Sequence, residues 1–399
     1  MSLDENSLAF IDLAKEAALK VLLHNAHGPF QGLPRTAGWG YPEPYTRDIM
    51  LSALGFLACG NEQLAEALER TLVALANNQT PHGHISSLAH DPANRGSSDS
   101  TPLFLFGLAL YRISRNQPEF LLEAAEKARR WMQYQSPDDR VMVAQLPTSD
   151  WRDEQYVMGY GLYVNMIVYS YLRLYGESES AEQLRGLMTR LEVSGEPKNS
   201  YEQEALVQPT APYYALYSYK VMSSDRFDLL GNSLAILTGV ASPQWARNML
   251  TWIDAECAAM RGRGELAVEL PPCLFPYILP HHADWLPRYE RYNRPGDYHN
   301  GGVWPFICGF YVAAAVAAGQ MDLAERKLLA LTELVKPWHE NAAEWGFNEW
   351  IHAQTGKPSG RDWQTWSAAM YLYAAKCVLE RCTPFFDDIR GDNLSEARL

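Results

Sequence analysis

Glu349 stands in FNEWIHAQTGKPSGRDWQTW (347–366), flanked by Trp345, Phe347 and Trp350 and followed by a Gly/Pro-rich turn. A carboxyl group set among aromatic rings can move protons while the rings stack on the faces of a sugar. Glu344 competes for that role, and a surface position is the plain alternative for either acid. The aromatic flanks argue against a fully solvated Glu349.

Four other segments place charged or amide side chains beside aromatic ones. In GWGYPEPYTRDIMLSALGF (38–56), Arg47 and Asp48 open an apolar helix under a loop holding Trp39, Tyr41 and Tyr45. Asp48 either complements the helix dipole or joins Arg47 in clamping hydroxyl groups. In RGSSDSTPLFLFGLALY (95–111), Asp99 precedes Thr101–Pro102 and an apolar helix. It either caps that helix or acts as an acid, and the second role requires burial or another carboxylate to outweigh the helix dipole. In PTSDWRDEQYVMGYGLYVNM (147–166), Trp151 lies between Asp150 and Asp153, a stacking platform with hydroxyl acceptors beside it. Tyr163 lies on the Tyr-rich helix that follows, where core packing is the alternative. In DYHNGGVWPF (297–306), His299 and Asn300 can each donate and accept, and Gly301–Gly302 either makes a turn or lets backbone approach a ligand.

Other chemistries are poorly represented. The chain has no GxSxG elbow, phosphate-binding P-loop, GxGxxG or HExxH. His82/His84 and His281/His282 lack a carboxylate at convincing ligand spacing, so no metal is expected.

Helices must position these groups. Apolar residues recur at i, i+3, i+4 and i+7 over 5–23, 45–59, 62–77, 101–115, 117–134, 156–175, 179–192, 210–221, 243–257, 301–318, 321–336 and 363–381, predicting about twelve helices. Short links such as 59–61 and 319–320 tend to alternate with long Gly/Pro/aromatic loops at 24–44, 80–100, 258–300 and 337–362. Loops that long are often functional. A toroid of alternating inner and outer helices would gather them on one face, whereas an irregular bundle would not require the alternation. No repeat of solenoid length is visible, and no linker divides the chain, so residues 1–399 are expected to form one domain.

Composition narrows the partners. A formal net charge of −13 without a Lys/Arg run makes nucleic acid or an anionic membrane an unlikely main partner. Twelve Trp and 22 Tyr exceed what a core readily satisfies and point to a wet aromatic pocket. The six cysteines form no CxxC pair, the N-terminus reads as an amphipathic helix instead of a signal peptide, and no apolar run approaches a membrane span. The expected setting is the reducing cytoplasm; self-association is left open.

Taken in order, the segments resemble the (α/α)6-barrel glycoside hydrolases, in particular the neutral/alkaline invertase family and the amylo-α-1,6-glucosidase domain of glycogen debranching enzymes. The resemblance rests most on YHNGGVWPF (298–306) and QTWS (364–367), with TRDIMLSALGFL (46–57) and SSDSTPLFLFGLALY (97–111) more generic. Departures occur at Thr101–Pro102 and in FNEWIHAQTGKPSG, which bear on sucrose specificity more than on the hydrolytic class. The resemblance implies an all-α, six-hairpin barrel that cleaves an α-glucosidic bond in sucrose or an α-glucosyl oligosaccharide without a cofactor. It implies Asp99 as general acid and Glu349 as base in an inverting reaction, with carboxyl groups about 6.5–9.5 Å apart. Trp39, Arg47, Asp48, Asp150, Trp151, Asp153, Tyr163, His299, Asn300, Trp304, Trp363 and Gln364 would bind the sugar. Two other classes fit the same scaffold: a sugar 2-epimerase using His299 and His352, and a non-catalytic carbohydrate-binding protein.

Overall fold

Two kinds of helix alternate along the chain. In the computed structural model, which describes residues 3–136, 141–189, 211–219, 222–337 and 344–391, one kind is amphipathic: α1 (Glu5–Asn25), α3 (Glu62–Asn77), α5 (Leu122–Gln135), α7 (Ser178–Thr189), α9 (Pro243–Gly262) and α12 (Met321–Val335). Each buries one stripe, as α9 does with Ala246, Met249, Leu250, Ile253, Cys257 and Met260. The other kind is α2 (Thr46–Ala58), α4 (Ser100–Arg115), α6 (Leu162–Leu174), α8 (Leu229–Leu237), α11 (Pro305–Ala317) and α13 (Thr365–Glu380). These helices are buried on nearly every side; every residue from Pro305 to Val316 of α11 is buried. A helix apolar all round belongs inside, and one with a single apolar stripe belongs outside.

The buried helices close a ring. Helix α2 packs on α4, α4 on α6, α6 on α8, α8 on α11, α11 on α13, and α13 returns to α2. The last contact is tight: a Cβ at Gly55 of α2 would lie 2.1 Å from the carbonyl oxygen of Ala369 in α13. The amphipathic helices lie outside this ring, α3 against α2 and α4, α12 against α11 and α13, and α1 against α13. The all-α (α/α)6 barrel expected from the sequence is therefore the architecture found. Two short helices, α10 (Tyr289–Tyr292) and α14 (Phe386–Arg390), complete the set.

Links leaving the inner helices are short (59–61, 116–121, 175–177, 238–242, 318–320), whereas the segments entering them are long. The long segments therefore gather at the N-terminal ends of the ring. Three small antiparallel sheets stiffen them: β1 (Tyr160–Gly161) with β2 (Tyr217–Tyr219) and β3 (Met222–Ser223), β4 (Phe227–Asp228) with β5 (Leu274–Phe275), and β6 (Trp350–Ile351) with β7 (Pro358–Ser359). Outer helices α1, α3 and α9 have side-chain caps from Asp4, Asn61 and Ser242. Inner helices α2, α4, α6, α11 and α13 have none, leaving their first N–H groups facing the loops.

Two expectations need correction. The helix predicted at 210–221 is not formed over the described residues 211–219: Ala215 bridges Phe227 and Tyr217–Tyr219 is a strand, while 210, 220 and 221 lie outside the described residues. The aromatic spacing of YYALYSY imitates a helical period, but sheet pairing takes these residues. The helix α8 was not anticipated, because LLGNSLAIL is short and apolar almost throughout and gives no amphipathic contrast. Part of the 337–362 loop and the end of the 179–192 window also lie outside the described residues.

Candidate active site

Asp99 lies at the entry of α4, fully buried, and its side chain makes no cap bond to that helix. Its carboxylate instead accepts from Arg47 Nε at 2.7 Å, from Tyr163 OH at 3.2 Å and from Ser97 Oγ. These donors come from the starts of α2 and α6 and from the preceding loop, so adjacent inner helices converge on one carboxyl group. Capping, the plain alternative for Asp99, is not what its side chain does.

Asp48 sits beside this group in the first turn of α2, 5 % exposed. Burial first, and then the neighbouring Glu349 and Asp153 charges, push its carboxyl up to about 8 against the pull of Arg47.

Glu349 immediately precedes β6. Its backbone N–H donates to Arg361 O at 2.8 Å, and its Oε2 accepts from Arg361 N at 3.1 Å. The β6–β7 hairpin thus holds both the chain and the side chain of this acid. Gly360, at φ +70°, makes this possible: a Cβ there would fall 2.3 Å from Glu349 Oε2. Burial pushes Glu349 up to about 7, with the Asp153 charge adding to the rise and the Arg361 N–H and guanidinium opposing it. Glu344, its competitor in the sequence, lies at the surface paired with Lys20 at 3.1 Å.

Asp153 connects the two sides of the site. Its charge acts on Asp48, Arg47 and Glu349, and it feels Asp99 in turn. Asp48, Asp99, Asp153 and Glu349 are therefore close enough to act on one another's charge. The Asp153 side chain is 56 % exposed and lies 3.9 Å from His299 Nε2.

His299 is buried in an aromatic wall. Its ring stacks on Tyr298 (3.9 Å between centroids) and on Trp304 (5.5 Å), and meets the Trp151 ring edge-on at 5.1 Å. Phe306 and Trp366 extend the wall in parallel contact at 4.0 Å. Burial, reinforced by the Arg152 and Arg47 charges, holds His299 well below the usual histidine range, so the imidazole is neutral. Several polar atoms of this wall are buried without a hydrogen-bond partner: both ring nitrogens of His299, Nε1 of Trp151, Nε1 of Trp366, and both amide atoms of Gln364. Such atoms are available to a polar ligand or to water.

Other expected site residues are placed differently. Asp150 does not face the cleft; it is fully buried and bound to Arg152 at 2.8 Å and to Gln145, with Arg152 reaching on to Asp228 at 3.0 Å. Burial would raise Asp150, but Arg152 and Gln145 hold it below its ordinary value. Asn300 uses its amide to accept from Ile278 N and to donate to Ile278 O and Asn293 O, which fixes the loop before α11. Trp304 donates to Tyr298 O, and Trp363, 5 % exposed, donates to Trp345 O. Asp150, Asn300, Trp304 and Trp363 therefore shape the site more than they line it. Trp39, half exposed, lies against Trp363 and His24 at the rim. Tyr298 and Arg361 were not singled out; each lies inside a quoted segment, but only the folded loop and hairpin reveal what it touches.

His84 is bound to Thr101 and Arg95 O, His282 is bound to Arg226 and Leu279 N, and among the described residues no cluster of three His, Cys, Asp or Glu could hold a metal ion.

Residues 216–381 match the family described as alkaline and neutral invertase. The probable alkaline/neutral invertase D of Arabidopsis thaliana is 31 % identical over 159 residues, which is 39 % of this chain and 27 % of that protein. Cytosolic invertase 1 of Oryza sativa subsp. japonica is 30 % identical over a similar stretch, 39 % of this chain and 26 % of that one. The chain thus matches only about a quarter of the length of these relatives. The shared segment carries His299 and Glu349, while Asp99 and Arg47 lie outside it. In three dimensions the likeness is broader. The GH63 mannosylglycerate hydrolase from Thermus thermophilus, solved with Tris and D-glycerate, superposes with a TM-score of 0.64 at 16 % identity, covering 90 % of this chain and 99 % of its own. A wild-type glycosidase superposes with a TM-score of 0.64 at 12 % identity, covering 98 % and 99 %. The resemblance to invertases read from HNGG-x-WP and QTWS is thereby found over 216–381, and the (α/α)6 fold over nearly the whole chain.

Proposed function

We propose that this protein is a single-domain cytoplasmic glycoside hydrolase that releases glucose from a small α-glucoside with inversion at the anomeric carbon. The observation that carries the reading is the cleft itself. Asp99 and Glu349 both act on Asp153 or are acted on by it, and beside them stand the unpartnered polar atoms of His299, Trp151, Trp366 and Gln364. Sugar hydroxyls both donate and accept, and aromatic edges and faces suit pyranose rings.

In this reading Asp99 delivers a proton to the glycosidic oxygen as its bond to the anomeric carbon breaks. Glu349 takes a proton from the water that attacks the opposite face. A base near 7 is well matched to neutral pH. Arg47, Ser97 and Tyr163 fix the orientation of Asp99, and the β6–β7 hairpin fixes Glu349. Asp153 and neutral His299 hold hydroxyl groups of the sugar.

One observation favours exchanging the two acids. The donors converging on Asp99 cast it as an acceptor, and Glu349 retains its proton up to about 7. Glu349 would then be the acid and Asp99 the base. The 2-epimerase reading draws less support, because its second histidine, His352, is bound through Nδ1 to Asp297 at 2.6 Å.

The test is sugar release from sucrose, trehalose, maltose, isomaltose and glucosylglycerate by the wild type, Asp99→Asn and Glu349→Gln. Release lost by at least ~100-fold in both variants is the expected result. Equal behaviour of all three proteins on every substrate would leave a binding protein instead.

A further inference from the structure

A groove of ≈ 550 Å³ lies at the far end of the ring from Asp99 and Glu349, where α6, α8 and α11 end and α9 begins. Helix α6 gives the separation. Tyr163, in its first turn, donates to Asp99, whereas Arg173, in its last turn, lines the groove about 15 Å further along the axis.

Four guanidinium groups from four different helices line this groove: Arg173 of α6, Arg185 of α7, Arg247 of α9 and Arg390 of α14. Glu182 is the one acidic side chain among the described lining residues. Arg185 Nε holds it at 2.8 Å, and Arg173 Nη1 lies 3.8 Å away. The chain as a whole has a formal net charge of −13, so this gathering of cations is local.

Cations beside helix C-termini can serve only to neutralise the carbonyl ends, and two of the four do that. Arg390 donates to Leu237 O at the end of α8 at 2.7 Å, and Arg173 donates to Ile389 O in α14 at 3.0 Å. Arg247 has no such reason to be there. It stands near the start of α9, where the dipole disfavours a cation, and the first turn of that helix has no acidic residue. Among the described residues no carboxylate pairs with it, and its Nη2 donates to Gln244 Oε1 at 2.9 Å. Tyr169 is a second unexplained group. It is 4 % exposed and lines the groove among the charges of Arg173, Glu182 and Arg185, yet among the described residues its hydroxyl has no hydrogen-bond partner. The hydroxyl of a buried tyrosine is ordinarily bonded.

Ile236, Ala246, Ala317 and Ile389 add apolar surface to the same groove, whose volume is that of a small-molecule pocket. Guanidinium forks and the positive end of α9 suit phosphate oxygens, and the apolar surface suits a carbon-bearing remainder. We propose that the groove is a second ligand site, separate from the cleft, which binds a small phosphate monoester through Arg247, Arg173 and the Tyr169 hydroxyl. The proposal does not depend on the hydrolase reading.

The experiment titrates glycerol 3-phosphate, inorganic phosphate and glycerol into the full chain by calorimetry, at low and at high salt. Wild type is compared with Arg247→Gln, Arg247→Glu and Tyr169→Phe. Arg247 is exposed, so its variants should fold, and thermal unfolding checks that they do. Wild type should bind the ester, more weakly at high salt, and should not bind glycerol. Arg247→Gln should weaken binding by about tenfold or more, Arg247→Glu should abolish it, and Tyr169→Phe should weaken it by about fivefold. Hydrogen exchange with the ester bound should protect the end of α6 and the links after α8 and α11, and leave the segments carrying Asp99 and Glu349 unchanged. No binding to wild type, equal affinity in Arg247→Glu, or protection confined to the cleft overturns the proposal. Inorganic phosphate binding as tightly as the ester overturns the assignment to a monoester.

Discussion

Arg47 Nε lies 2.7 Å from Asp99 Oδ2, and both side chains are almost wholly buried, at 11 % and 0 % exposed. The pair ties the start of α2 to the start of α4 and fixes Asp99 at the base of the cleft. Removing one member leaves a buried charge without its partner. Arg47→Met is expected to destabilise the fold by about 3–5 kcal/mol and to abolish activity. Arg47→Lys keeps the charge but not the guanidinium geometry, and should cost less stability while still impairing turnover. Urea unfolding beside kcat/KM checks both; an Arg47→Met variant as stable and active as wild type would remove the pair from the account.

Gly360 offers a geometric test of Glu349. A methyl group there would meet Oε2 at 2.3 Å and Glu349 Cβ at 2.5 Å, on a backbone already at φ +70°. Gly360→Ala should lower kcat by about 100-fold while costing only about 1–2 kcal/mol of stability, because the displaced group is one side chain on a short hairpin. Kinetics beside thermal unfolding would show this. A variant with normal kcat would mean that the position of Glu349 is not critical.

The raised Glu349 titration has a signed consequence for stability. In the unfolded chain Glu349 loses its proton near 4.5, but in the folded protein only near 7. Its contribution is therefore favourable below about 4.5 and is lost as pH rises towards 7. Glu349→Gln removes that loss. The variant should gain on wild type by of order 1–3 kcal/mol between pH 4.5 and 8, measured by denaturant unfolding across that range. A difference that does not vary with pH would show that Glu349 titrates normally.

The assignment of acid and base is separable by leaving group. α-Glucosyl fluoride needs little protonation of its departing group, so loss of the general acid should scarcely slow its hydrolysis, whereas loss of the base should slow it by about 100-fold or more. Asp99→Asn is expected to retain most activity on the fluoride and Glu349→Gln to lose it. The opposite pattern would exchange the two roles.

How much of this was legible in the sequence follows from the range of the forces involved. Most of the helices were readable because burial of an apolar stripe is written in local spacing, while their division into inner and outer rings emerged only from the fold. The helix α8 was not, since nine residues with only Asn232 and Ser233 polar, side by side, have no polar face to reveal a period. Asp99, Asp150 and Asp153 look alike in one dimension, each an aspartate in a polar turn. Only the closed ring shows Asp99 meeting Arg47, Asp150 turned inward to Arg152, and Asp153 left facing the cleft. Asn300 stood in a readable motif, yet its amide is taken up by backbone partners 22 and 7 residues away. Arg361 carried no signal at all, because its neighbours Gly40 and Tyr41 are remote along the chain and meet it only through folding.

The central claim is that Asp99 and Glu349 cleave an α-glucoside with inversion. It is tested most directly by proton NMR of the reaction from its first minutes, on whichever α-glucoside the wild type turns over. The account expects β-glucose to appear before the α anomer, and no glucose to form with Glu349→Gln. Initial release of α-glucose, or release by the variant at the wild-type rate, would contradict it.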